Sequence, residues 1–175
     1  PIKSVKFKEA GNSTLDAKKL WFDNKFGRLN SDEKGEYLGK FEAEDRLLVI
    51  YSDGNYEITD QELTQRFETD KVLLIEKFDP EKIITAVYFD KEKLQYSVKR
   101  FKIETSTLHN KFLFIKEGEG NYLEAVTTDE EPVLAMQSGR GAQVRKAKIK
   151  IVKVVDVMGW KALGNKLADF NKSIE

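Results

Sequence analysis

The 175-residue chain carries 30 Lys and Arg against 30 Asp and Glu, a formal net charge of zero, with 40% hydrophobic residues and no cysteine. That balance removes any molecule-wide positive field, the missing thiols exclude a disulfide frame and thiolate chemistry, and no apolar run approaches the roughly 20 residues of a membrane-spanning helix. The length suffices to bury a core as one domain, residues 1–175, or as a tightly coupled array; the absence of cysteine fits an expected cytoplasmic location, and a chain running from Pro1 to Glu175 reads as an excised piece of a longer one.

In chain order, Lys3 to Lys8 alternates as a strand, with Val5 and Phe7 on one face and Lys6 and Lys8 on the other. Gly11 to Lys18 is polar and irregular. A first hairpin runs from Leu20 to Asn30 around Asp23-Asn24, and Ser31 to Gly35 reads as a loop. A second unit starts near Tyr37 and holds the densest apolar run, Leu47 to Tyr51, which suits a strand covered on both faces. Asp53-Gly54 then supplies a strong hairpin turn, because both residues tolerate positive φ.

Thr59 to Arg66 has the capping-box form, with Glu62 three residues after Thr59, and predicts one or two helical turns. Val72 to Phe78 is a further strand, ended by the turn at Asp79-Pro80. Ile83 to Phe89 and Leu94 to Ile103 make the next hairpin around Asp90-Lys91. Lys111 to Lys116 with Asn121 to Thr127 predict another, around residues 117–120. Val133 to Gln137 opens a fourth copy of the unit, turning at Ser138-Gly139. Finally, Leu163, Leu167 and Phe170 at helical spacing predict a short helix over Lys161 to Asn171.

The fourth hairpin carries the most informative pattern. Lys146, Lys148 and Lys150 alternate with Ala147, Ile149 and Ile151, which gives the strand one core face and one cationic face. Charge is segregated along the chain as well. From Gln137 to Lys166 eight cations are opposed only by Asp156, whereas Glu117 to Glu131 holds six carboxylates and no cation. Such segregation can focus a local potential in a neutral protein. The alternative is two solvated faces of opposite sign.

Catalytic candidates are few. His109 is the one histidine and has no ligand-spaced partners, so a structural or surface role is expected. Ser106 stands near it, but nothing resembling a nucleophile elbow accompanies them. Asp129-Glu130-Glu131 lacks calcium-loop spacing and reads as a solvated loop. Gly139-Arg140-Gly141 lacks the lysine of a phosphate loop. No catalytic residue, metal site or cofactor is expected.

The stretches FGRLN at Phe26 to Asn30, SGRGAQVRK at Ser138 to Lys146, and GWKALGNKL at Gly159 to Leu167 resemble the C-terminal domain of the A subunit of bacterial type IIA topoisomerases, gyrase and topoisomerase IV, with the Bacteroidetes type of topoisomerase IV as the nearest likeness. The resemblance implies an all-β pinwheel, here of about four hairpin blades plus the terminal helix, whose basic outer rim binds and bends duplex DNA. It implies no strand cleavage by this fragment, since the family's tyrosine lies in another domain. Its partners would be double-stranded DNA, the remainder of the A subunit and the ATPase B subunit of an ATP-dependent enzyme. The gyrase signature Q-R-R-G-G-K-G, laid on Gln137 to Gln143, keeps only Gln137 and Gly141, which favours topoisomerase IV.

On that reading the DNA-binding residues are Arg140, Arg145, Lys146, Lys148 and Lys150, then Lys25 and Arg28 at the equivalent turn of the first hairpin, then Lys99, Arg100 and Lys102. They would grip phosphates with little sequence preference. The competing reading is a propeller-like protein-interaction module, whose acidic loops meet a basic partner. Trp21, Trp160, Tyr51 and Tyr88 are expected in blade cores.

Overall fold

The structure is a computed structural model and describes residues 17–139 and 141–167. The strand expected at Lys3 to Lys8 lies outside the described residues. Among the described residues fourteen strands fall into four sheets. The first joins β1 (Lys18–Asp23), β2 (Arg28–Asn30) and β3 (Glu36–Phe41) in the order β2-β1-β3. The second orders β6 (Val72–Lys77), β4 (Leu47–Tyr51), β5 (Asn55–Thr59) and β9 (Lys111–Leu113). In the third, β10 (Tyr122–Thr127), β7 (Ile84–Asp90) and β8 (Gln95–Phe101) are followed by β13 (Val157–Met158) and β14 (Asn165–Lys166), which share the outer edge of β8. A ribbon of β11 (Val133–Ser138) and β12 (Arg145–Lys150) is the fourth. The all-β class and four of the five predicted hairpins, β1–β2, β4–β5, β7–β8 and β11–β12, are present.

Strand alternation explains how the sheets stack. All five residues of β4 are buried, but on two sides. Leu47, Val49 and Tyr51 join Leu20, Phe22, Leu29 and Phe41 of the first sheet in one core. Leu48 and Ile50 face the other way, into a core built with Tyr56, Ile58, Ile84, Ala86, Tyr88 and Phe101. The third sheet repeats the device, since Val87 and Val98 turn away from that core to meet Ile149 of the ribbon. Four sheets are thus laminated by three cores, and truncating a fully buried member such as Ile50 to Ala would cost about 2–5 kcal/mol.

Four expectations are corrected. Thr59 to Arg66 forms no helix: the Asp60 carboxylate accepts from the backbone N–H of Glu62, 3.1 Å, and the Gln65 amide donates to the Asp60 and Glu62 carbonyls, so side chains satisfy the groups a helix would have paired. The strand near Tyr37 belongs to the first sheet, paired to β1, and does not open the second. Strands β9 and β10 do not form a hairpin; β9 extends the second sheet beside β5 and β10 the third beside β7, because Phe112 and Leu123 are each drawn to different strands across one core.

The fourth correction concerns the C-terminal segment. Between residues 161 and 167 there is no α-helix; Asn165 and Lys166 pair instead with Val98 and Ser97. Gly164 forces the change, with φ +82° and a backbone so close to β8 that an added Cβ would stand 2.4 Å from the Val98 carbonyl oxygen. The Tyr88 hydroxyl donates to the Leu163 carbonyl at 2.7 Å. The expected helix beyond residue 167 lies outside the described residues.

Candidate nucleic-acid interface

The ribbon presents the face that its alternation predicts. Ile149 is buried in the core beneath it, while Arg145, Lys146, Lys148 and Lys150 are exposed. Register sets Lys146 opposite Gln137, Lys148 opposite Ala135 and Lys150 opposite Val133, so no carboxylate faces the lysines across the strand. Among the described residues none of the four cations makes a salt bridge, whereas Lys71, Lys77, Lys82, Lys102 and Lys116 all do. The ribbon therefore holds its positive charge uncompensated in solvent, the arrangement that favours a polyanion. Gly139 turns it with φ +94°, where any Cβ would collide with the Gln143 carbonyl. Arg140 lies outside the described residues.

Between the ribbon and the third sheet runs a groove of about 920 Å³. Arg145 and Lys146 line one wall, with Lys93 and Lys166 nearby and Glu124 as the carboxylate among them. Lys93 was not singled out by sequence reasoning, and Lys166 only as one cation of the basic segment; their place on the turn of β7–β8 and on the strand that closes β8 brings them to the ribbon.

Lys25 and Arg28 are exposed, on the turn and at the start of β2. The Lys25 ammonium stands 5.5 Å from the centroid of the Phe26 ring. Arg28 lines a cleft of about 520 Å³ with Lys34, Arg66, Asp23 and Asp32. Asn30 shapes its rim, its carboxamide oxygen accepting from the N–H of Asp32 and Lys34 and its amide donating to the Lys34 carbonyl at 2.8 Å. These residues and the ribbon lie on the first and last of the four sheets and share no core.

The β8 residues depart from the expected outward projection. Lys99 is 2% exposed and donates to the carbonyls of Phe114, 2.5 Å, and Trp160, 2.6 Å, above the rings of Phe101 and Phe114. Burial pushes its ammonium down to about 8. Arg100, 6% exposed on the opposite face, donates to the Val155 carbonyl at 3.2 Å. Neither side chain is at the surface to meet a phosphate, because β8 is covered on both faces and paired along both edges. Lys102 is partly exposed and paired to Glu81 at 3.1 Å.

His109 is also tied down, its Nε2 3.0 Å from the Asp60 carboxylate and its Nδ1 3.4 Å from the Thr59 hydroxyl. That resembles a relay, yet Thr59 is fully buried, which denies a substrate access to its hydroxyl. Among the described residues no three His, Asp or Glu side chains gather to hold a metal ion, and no helix is long and apolar enough to cross a membrane.

Residues 28–173 match the family model of the topoisomerase C-terminal domain of Bacteroidota. The chain belongs to that family. Two of the three stretches that carried the resemblance, Ser138 to Lys146 and Gly159 to Leu167, fall wholly inside the matched span. The solved C-terminal domain of DNA topoisomerase IV is similar at 12% identity with a TM-score of 0.49, covering 78% of this chain and 54% of that one, so the chain spans about half of its length. No curated protein matches. In this topoisomerase C-terminal domain, the stretch Gly159 to Leu167 acts as a strap over β8: Trp160 caps Lys99, its ring packs edge-on to Tyr56 at 6.0 Å, and Leu167 closes the third core.

Proposed function

We propose that this topoisomerase C-terminal domain is a non-catalytic DNA-binding module that captures duplex DNA by its phosphates on the β11–β12 ribbon, bends it and guides the transported segment to a catalytic core elsewhere in the A subunit. The observation that carries this reading is the row Lys146, Lys148 and Lys150, solvent-facing and without a carboxylate partner among the described residues. Phosphate capture of this kind holds a duplex without reading its bases. The parent would be an ATP-dependent type II enzyme of the cytoplasm, acting with an ATPase B subunit. The loss of the gyrase signature at Gln137 to Gln143, where only Gln137 and Gly141 remain, supports a topoisomerase IV-like parent. Arg145 extends the ribbon's row, and Lys25 and Arg28 offer a second contact on the first sheet.

The test is a gel-shift series of the 175-residue chain on a duplex of about one hundred base pairs across a salt range. Binding should weaken linearly in log–log form, and changing Arg145, Lys146, Lys148 and Lys150 together to Ala should flatten the slope by about 0.9 for each phosphate contact removed. Equal slopes for the two proteins would reject the ribbon as the DNA surface.

A further inference from the structure

The turn of the β7–β8 hairpin carries an oddity that phosphate capture does not use. Among the described residues Leu94, 76% exposed, is the most exposed of the large hydrophobic residues, and its φ is +49°. A γ-branched L-residue in the left-handed region is strained, and turns with such a position ordinarily take Gly or Asn. A strained, exposed apolar residue at the tip of a turn points to work done by its side chain.

The turn is held rigid around it. Asp90, nearly fully buried, receives the backbone N–H of Lys93 at 3.3 Å and the Lys116 ammonium at 2.9 Å. The N–H of Lys91 donates to the Asn121 side chain at 2.9 Å, and the Lys91 stem lies against Gly120. Phe89, Tyr96 and Tyr122 pack beneath, with ring centroids 5.1 and 5.4 Å from Phe89. Leu94 thus stands on a fixed support at the lip of the groove whose other wall is Arg145 and Lys146. An apolar tip that shares its groove with Lys93, Arg145, Lys146 and Lys166, with Glu124 as the carboxylate among them, is complementary to a duplex, whose phosphates flank an apolar base stack.

We propose that Leu94 is a wedge that enters the minor groove of a duplex held by Arg145 and Lys146, partly unstacking one base step and so bending the DNA. The idea rests on the DNA-binding reading above and adds the element that deforms the duplex. Lysines alone attract a duplex without choosing where it kinks; an inserted aliphatic side chain localises the kink. Phe26, 63% exposed beside Lys25 at the turn of the first hairpin, repeats the pairing of apolar tip and cation without the backbone strain.

The experiment compares the wild type with Leu94→Asn, which tolerates the left-handed turn and so keeps the hairpin. Two readouts are taken on one duplex: end-to-end energy transfer for bending, and the fluorescence of 2-aminopurine placed at several steps for unstacking. The wild type should bend the duplex and raise the fluorescence, while Leu94→Asn binds with nearly the same affinity and salt slope but loses most of both signals. If the variant bends and unstacks like the wild type, or the wild type bends without any fluorescence rise, the wedge is wrong and the phosphate-binding ribbon stands. If the wild type binds no duplex at low salt, the DNA-binding reading falls and the wedge with it.

Discussion

Strand β8 with the residue that follows it, Ser97-Val98-Lys99-Arg100-Phe101-Lys102, and strand β12, Arg145-Lys146-Ala147-Lys148-Ile149-Lys150, are both rich in cations and meet opposite fates. In β12 only the inner face is covered, so the lysines project into solvent and Ile149 into the core. In β8 the neighbours β7, β13 and β14 occupy both edges and cores lie on both faces, so Lys99 and Arg100 are drawn inside and fastened to backbone carbonyls. The difference teaches that alternation assigns a residue to a face of its strand, while the position of the strand in the stack decides whether that face is wet. It also separates two settings of lysine, fastened inside as a structural staple and projecting into solvent.

The largest expected effect breaks the staple. Lys99→Ala removes a buried stem and leaves the Phe114 and Trp160 carbonyls without their donor, which should destabilise the fold by about 3 kcal/mol. Chemical denaturation checks this, and a loss below about 0.5 kcal/mol would mean the carbonyls find other partners. Binding to DNA by the folded fraction should keep its salt slope, since Lys99 is not at the surface.

A second, smaller effect is pH-dependent. Burial lowers the Lys99 ammonium from its ordinary 10.5 to about 8. Between those values the unfolded chain holds a proton that the native state has released, so stability contributed by this group rises with pH through that window and is constant below it. Relative to Lys99→Met, the wild type should gain on the order of 1–2 kcal/mol from pH 8 to pH 9.5. Parallel stability curves for the two proteins would show that Lys99 titrates normally.

The smallest effects belong to the exposed cations. Changing Lys146, Lys148 and Lys150 together to Ala should move the melting free energy by no more than about 0.5 kcal/mol, because none of them has a partner to lose among the described residues. Lys102→Ala should cost about 0.5 kcal/mol or less, since its pair with Glu81 is solvent-exposed. A large stability loss from the triple change would turn the ribbon lysines into staples and erase the contrast with β8.

Much of the architecture was legible because its signals are local. Asp53-Gly54 and Ser138-Gly139 specify turns by backbone conformation, and the five apolar residues of β4 announce a strand covered twice. The exposed row on β12 followed from period-two alternation alone. The errors share a cause. The capping box at Thr59 was outcompeted by Gln65 and Asp60, the residues 111–127 were split between two sheets, and the leucine spacing at the C-terminus was overruled by the close approach of Gly164 to β8. In each case the competitor lies elsewhere in the fold or in side-chain hydrogen bonding, and periodicity carries no record of it. Lys93 was missed for the same reason.

The amino-acid sequence by itself determined the strand-and-turn grammar, the cationic face of β12 and the three stretches on which the family resemblance rests, because each depends on residues within a few positions of one another. Tertiary structure decided which strands became neighbours, and with that which cations are buried and which meet solvent. The reason is physical: side-chain alternation is fixed by the backbone of one strand, whereas burial depends on sheets assembled from segments dozens of residues apart, as Lys99 and Trp160 show.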